Sequence, residues 1–487
     1  MNSLFKHLPL VFRHEWRLLL ADRSLWLTLG ILCAVLAYGL FNGITANEAR
    51  TTTQVRLQIQ EAEAAVRNVD LLRRIFEDKA NPEPFANPAN PANVGSGLAA
   101  RYAMMPALPL APLALGQSDM LPDHYKISYR NKTSFLYDGE IENPWNLMSG
   151  RLDAVFVVIY LLPLLIIALS YNVLSVEREQ GMMKLVLSNP ITLSTLLAGK
   201  LLARALPLLA GAALLPIVAL LLFFPPARQV DALPQMMGWI ALVLAYGLFW
   251  FALAAFVNAL RTSSANNALL LISAWVVLTL IAPVIVNLAV STANPAPSRV
   301  ELATQTRLVT IAGLNRYNEL LSTDYRYTTN LETLRPKDGK LDIPERLRAF
   351  YLMDRDVDAE ISSLLDRFDI QVASQQALVD RFGFVSPAIV AFEGITGLSG
   401  NGSRRFQHFK EQIDTFHENW RGYFQPKVLG GQAMTESDYA DIPRFVWQEE
   451  SARQRWTDLA KRLFQLLLLA AILSVLAIVF LRRYRVV

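Results

Sequence analysis

The sequence is poor in charge, cysteine and histidine. Only 18% of its 487 residues are charged, while 53% are hydrophobic, and the mean hydropathy is +0.28. Soluble domains carry about 25% charged residues. The shortfall is concentrated in a few long apolar runs, and the segments between them have the composition of soluble protein. Cys33, the single cysteine, lies inside the first run, so no intrachain disulfide can form. Five histidines without a cysteine cluster argue against a zinc framework. No P-loop is present. The nearest string, Ala198-Gly199-Lys200-Leu201, lacks the leading glycine and the Ser/Thr that meets Mg²⁺, so the chain does not hydrolyse ATP in that way itself. No H-E-x-x-H, G-x-S-x-G or Ser/His/Asp constellation with usable context stands out either. Neither the net charge of +4 nor the pI near 9.0 points to nucleic acid, because Lys and Arg sit beside the apolar runs.

Those runs dominate what is present. A bilayer core of about 30 Å needs roughly 20 apolar residues in helix. Six segments meet that length, at about 25–44, 154–173, 197–224, 236–257, 267–290 and 463–481. The first starts too late for a signal peptide and no A-x-A site follows it, so it reads as a retained anchor. Pro207, Pro216 and Pro283 kink their spans without disqualifying them, since neighbouring helices can satisfy the freed carbonyls. Arg204 is near a span end and can snorkel. The spans hold no buried carboxylate, which argues against a proton- or sodium-driven carrier. Basic residues before the first span, between the second and third, between the fourth and fifth, and after the sixth close the topology with both termini cytoplasmic. Trp26, Trp145 and Trp456 then fall at interface positions.

The expected organisation has a cytoplasmic interfacial helix over 1–24 and the first span over 25–44. A first external insertion follows over 45–151. Spans two to five occupy 152–290, with a cytoplasmic segment at 175–190. A second insertion covers 291–460, and the sixth span with a basic tail 461–487. The fold class is mainly α, a six-helix transmembrane core with two extracytoplasmic insertions, the second a mostly helical domain. Phe5, Leu8, Phe12, Trp16 and Leu19 share one face of the interfacial helix. Val55, Ile59, Ala62, Val66, Val69 and Ile75 give the first insertion an apolar helical stripe. The Asn-Pro-rich stretch from Pro82 to Pro91 reads as an extended linker. Helices are expected over Asp358–Phe382 and Phe406–Phe424, a turn at Lys337–Lys340, and a glycine-rich loop over Gly394–Gly402. His408 and His417 fall on different faces of their helix, which suits a surface helix better than a metal site.

The segment from Ser175 to Pro190 carries the functional expectation. It is a charged, glycine-broken stretch between two spans. Glu177, Arg178 and Glu179 supply charge, Gly181 breaks the helix, and Met182, Met183, Leu185 and Leu187 supply apolar contacts. Pro190 ends the element, and Gly199-Lys200 opens the next span. A transporter driven by a separate motor needs a rigid handle of this kind. The stretch resembles the cytoplasmic signature of type 2 ABC transporter permeases, at Glu177, Glu179, Gly181, Leu187, Ser188 (one place early), Pro190, Gly199 and Lys200. The order of elements is also similar to that family. The opening around His14-Glu15-Trp16-Arg17, and the stretch from Ser386-Pro387 through Trp420, resemble a bacterial subfamily with large external insertions, grouped with multi-copper-enzyme maturation permeases.

The resemblance implies a non-enzymatic inner-membrane permease subunit. An ABC ATPase subunit, binding ATP and Mg²⁺ itself, would dock on the 175–190 segment. A second permease copy or a sister permease would complete the membrane unit. A periplasmic partner and membrane lipids are the other expected contacts, with no nucleic acid, cofactor or metal. The rival class is an ATPase-driven mechanical or signalling protein that passes no substrate.

Overall fold

The computed structural model describes residues 2–116, 121–133, 152–189, 191–295, 299–318 and 331–483. Trp145 and Pro190 lie outside the described residues. Among these residues, six helices are long and apolar enough to cross a membrane: Arg23–Phe76, Ala154–Glu179, Leu193–Phe223, Val230–Ala259, Ser264–Ala293 and Ala452–Arg482. The second and fourth spans are central. Their most apolar windows are 67% buried, against 17% for the fifth and sixth, which sit on the periphery. The sixth packs chiefly on the fourth, and the third on the first, the fourth and the N-terminal helix Asn2–Ala21.

The first span does not stop at the end of its apolar run. It continues as one 54-residue helix without a proline. Asp22 starts it by accepting from the Ser24 amide, 3.0 Å. Gly39 and Gly43 let other backbone come close. A Cβ on Gly43 would lie 1.9 Å from the Pro112 carbonyl oxygen, and one on Gly39 would lie 2.8 Å from the Asp153 carbonyl carbon.

Two spans carry a proline just after a wide i+5 turn, and in each a carbonyl of that turn is satisfied from another element. The Ile159 carbonyl, in the turn Val157–Leu161 before Pro163, accepts from Tyr246 Oη of the fourth span at 2.9 Å. The Leu278 carbonyl lies in a wide i+5 turn, Val276–Ile281, so its donor would be the missing amide of Pro283. It accepts instead from Ser386 Oγ at 2.6 Å. An unsatisfied carbonyl in hydrocarbon costs several kcal/mol, which accounts for Tyr246 and Ser386 at these places.

The two insertions share one core and form a single head on the side away from the termini. Leu72, Ala89, Val94, Ala103 and Ile127 from the first pack with Tyr351, Phe409, Ile413, Trp420 and Phe424 from the second. A two-stranded antiparallel sheet, Arg101–Met104 with His124–Ile127, lies against this core. Helices Glu345–Phe382 and Ser403–Gly430 form most of the rest, each longer than the sequence pattern marked. The Lys337–Lys340 turn forms, with Asp338 and Gly339 at positive φ.

Two local expectations are corrected. The Asn-Pro stretch is packed core from Asn87 onward. Asn87 accepts from the Ala89 amide and donates to the Leu334 carbonyl, both 2.9 Å, and Asn90 caps the short helix Pro91–Asn93. These side chains supply the bonds that the prolines cannot. The Gly394–Gly402 stretch is mostly helix, Pro387–Ser399, with Gly400 at φ +78 as its stop. Gly394 serves close packing on Leu242 of the fourth span, and the helix belongs to the core of the membrane bundle.

Candidate functional site

The second span unwinds at residues 171–174 and gives way to two short helices, Ser175–Glu179 and Met183–Leu187. Gly181 between them has φ +73, a conformation that a side chain would strain. The unwound turn frees backbone groups, and two asparagines take them up. Asn258 of the fourth span accepts from the Leu174 amide at 3.2 Å and donates to the Ser170 carbonyl at 2.9 Å. Asn267 of the fifth donates to the Tyr171 carbonyl at 3.1 Å. These bonds show a packing role for both asparagines.

The charges of the segment turn inward. Lys200 Nζ lies 2.5 Å from Glu177 Oε1 and 3.3 Å from Glu15 Oε1. Arg204 is 3.2 Å from the other oxygen of Glu15. Two bases and two acids therefore alternate from the N-terminal helix through the third span to the segment. All four are largely buried, and removing one partner of such a pair leaves a charge uncompensated. Arg204 is thus held by Glu15 of the N-terminal helix. Gly199 makes room for this junction, since a Cβ there would lie 2.6 Å from Val11 Cγ1. The N-terminal helix buries Val11, Glu15 and Leu19 on one face.

Glu179 and Arg178 bind the loop before the fifth span. Glu179 accepts from the Ser264 amide at 2.7 Å and from its hydroxyl at 2.9 Å, at a helix start where a carboxylate is favoured. Arg178 donates to the Thr262 carbonyl at 2.6 Å. The root of the segment is thereby fastened to the N-terminal helix and to the third, fourth and fifth spans.

Among the described residues its outer half has no such ties. Met182 and Leu185 are 46% and 73% exposed beside exposed Lys184, whereas Met183 is only 1% exposed and lies in the bundle core. Leu187 is half-buried against that core. Of the residues marked in the sequence, Glu177 meets the third span, Arg178 and Glu179 meet the loop before the fifth, Met183 packs inside, and Gly181 and Met182 face outward. Pro190 lies outside the described residues. Glu15, Asn258, Asn267 and Ser264 carry the junction without having been assigned to it; Gly199-Lys200 is the sequence signal that leads there.

Between the first and third spans, Trp26, Gly30, Cys33, Gly211, Leu215 and Val218 line an apolar surface groove of about 530 Å³. Its lining is almost wholly apolar, and the Trp26 indole N–H is already given to the Leu20 carbonyl at 3.0 Å.

A family model described as ABC-2 family transporter protein matches residues 10–483, nearly the whole chain. Neither the curated proteins nor the solved structures give a match. With six spans and a match across all of them, the chain is a multi-pass membrane permease belonging to the ABC-2 transporter family.

Proposed function

We propose that this permease works as the membrane half of an ATP-driven transporter in a bacterial inner membrane, exporting or extracting a substrate. A separate ATPase docks on the segment 175–190 from the cytoplasm, where both termini also lie. A second copy or a sister permease completes the unit. The observation that carries this reading is the division of the segment into a bonded root and an exposed apolar tip at Met182 and Leu185. A push on the tip reaches four helices through the root at once. The docking roles of Glu177, Arg178 and Glu179 become indirect, since these residues hold the handle in position. The test is co-purification from mild detergent. Met182→Asp with Leu185→Asp is expected to abolish recovery of a stoichiometric ATPase while leaving the thermal midpoint of the permease unchanged. Undiminished ATPase recovery would overturn the docking assignment.

One observation favours the second reading, in which force reaches a periplasmic partner and no substrate passes. The first span runs unbroken from the bundle into the head. A transport assay in vesicles, run alongside an ATP-dependent conformational signal from the head, separates the two. Signal without transport selects the second.

A further inference from the structure

The helix Arg23–Phe76 has two unlike faces beyond the bundle. One is taken by the chain's own head. Gln54 donates to Asp123 at 2.6 Å, Glu61 accepts from Arg101 at 2.8 Å, and Asn68 donates to the Leu98 carbonyl at 2.8 Å. Among the described residues the opposite face has no such cover. Val55, Ile59 and Val66 are 49%, 53% and 70% exposed there, and Ala62 between them is exposed too. Inside the first apolar run the same face bears Leu27, Ile31, Tyr38 and Phe41, all exposed.

These positions form one seven-residue repeat. Ile31, Tyr38, Ile59 and Val66 fall on one place of the heptad, and Leu27, Phe41, Val55 and Ala62 on the place three residues further on. That is the a/d pattern of a coiled coil, with β-branched residues at three of these four a positions and threonines, Thr45 and Thr52, at the two a positions between them. A soluble partner would meet only the outer half of this seam, and lipid only the inner half. An occupant that covers both must itself cross the membrane and leave it in the same direction. We infer that the seam pairs with the same helix of a second copy, in parallel, from Leu27 to Val66. The inference rests on the permease acting as a pair of like chains.

The flanking charges suit that occupant. In a parallel pair each g position faces the e position five residues later on the other helix. Thr51 then meets Arg56, Gln58 meets Glu63, and Ala65 meets Asp70, so no two like charges oppose at these flanks; within the seam the one like-charged pair is Glu48, at a d position, facing its counterpart. Thr45, Glu48 and Thr52 interrupt the apolar residues where the helix leaves the apolar run, the level at which water can enter the seam. A seam about 60 Å long and about 10 Å wide covers on the order of 600 Å² per copy. Doubled, that reaches the lower end of stable specific interfaces, about 1,200 Å².

Cysteine scanning in native membranes tests the pairing. With Cys33→Ala as background, Val55→Cys, Ile59→Cys, Ala62→Cys and Val66→Cys are each oxidised, with Gln60→Cys and Arg67→Cys as controls on the outer charged flank. The expected result is a dimer band severalfold stronger at the seam positions than at the controls. Equal bands at all six positions, or a seam cysteine that captures a different protein, overturns the inference. The particle mass and ATPase content of the Cys33→Ala protein are measured in parallel. A dimer with ATPase bound and no seam cross-link rejects the seam alone. A monomer without ATPase rejects the permease pair and the seam with it.

Discussion

His417 shows how burial sets the chemistry of single residues in the head. It is 1% exposed and bonded to the Arg130 carbonyl at 2.9 Å. Burial, with the Arg421 guanidinium nearby, holds its pKa down at about 3. At the ion-pair partner of Arg421, burial pushes the Asp358 carboxyl up to about 6, against the pull of that guanidinium at 2.9 Å. The two act in opposite senses on stability. The neutral imidazole is fully accommodated above its unfolded value of 6.5; below it the unfolded chain binds a proton that the folded head refuses. Asp358 does the reverse, and its contribution is lost as pH rises from about 4 through about 6. His417→Gln isolates the first effect. As pH falls from 6.5 towards 3, wild type should lose stability relative to the variant by about 1.4 kcal/mol per pH unit. Thermal denaturation of the solubilised protein across that range reads this directly, and parallel profiles for the two proteins would refute it.

At the scale of elements, close approach of backbones decides more than side-chain burial. Gly43 admits the loop at Pro112, while Gly30 on the same helix meets nothing within 4 Å. Gly43→Val is therefore expected to cost about 3 kcal/mol through overpacking, and Gly30→Val far less. The difference in thermal midpoints in detergent measures it, and equal effects would count against the packing. The elements were legible to different degrees. Six spans follow from apolar length alone, because the bilayer demand is local in sequence. The Asn-Pro stretch was misread because proline rules out regular helix but does not rule out burial. Its asparagines satisfy the backbone there, and Leu334, which accepts from Asn87, is 247 positions away. The last part of the helix Pro387–Ser399, from Gly394 on, was misread as part of a glycine-rich loop because Gly394 answers to Leu242, a neighbour that sequence does not reveal. Residue types marked the segment 175–190 correctly as charged and glycine-broken. Which charges face inward depends on Glu15, Lys200 and Ser264, and none of these lies within the segment.

On the scale of the whole molecule, the junction at Lys200 and the head are joined by few continuous paths. The helix from Arg23 to Phe76 is the longest. Glu48→Pro removes an amide and clashes with the preceding turn, costing about 3 kcal/mol in the middle of that helix. The head keeps its own core, to which Leu72 contributes beyond the break. If motion travels along this helix, the variant should retain ATPase binding and lose most of the ATP-dependent distance change between a label on the head and one on the fourth span. An unchanged distance change would place the path elsewhere.

The unbroken helix also has a consequence of scale. Fifty-four residues at 1.5 Å each make a rod of about 80 Å. Pivoted near its foot, such a lever turns a tilt of about 5° into roughly 7 Å of travel at Phe76. An angular change that shifts the close contacts around Gly39 and Gly43 by only about 2–3 Å thus becomes, at the far end, a step longer than a full turn of helix.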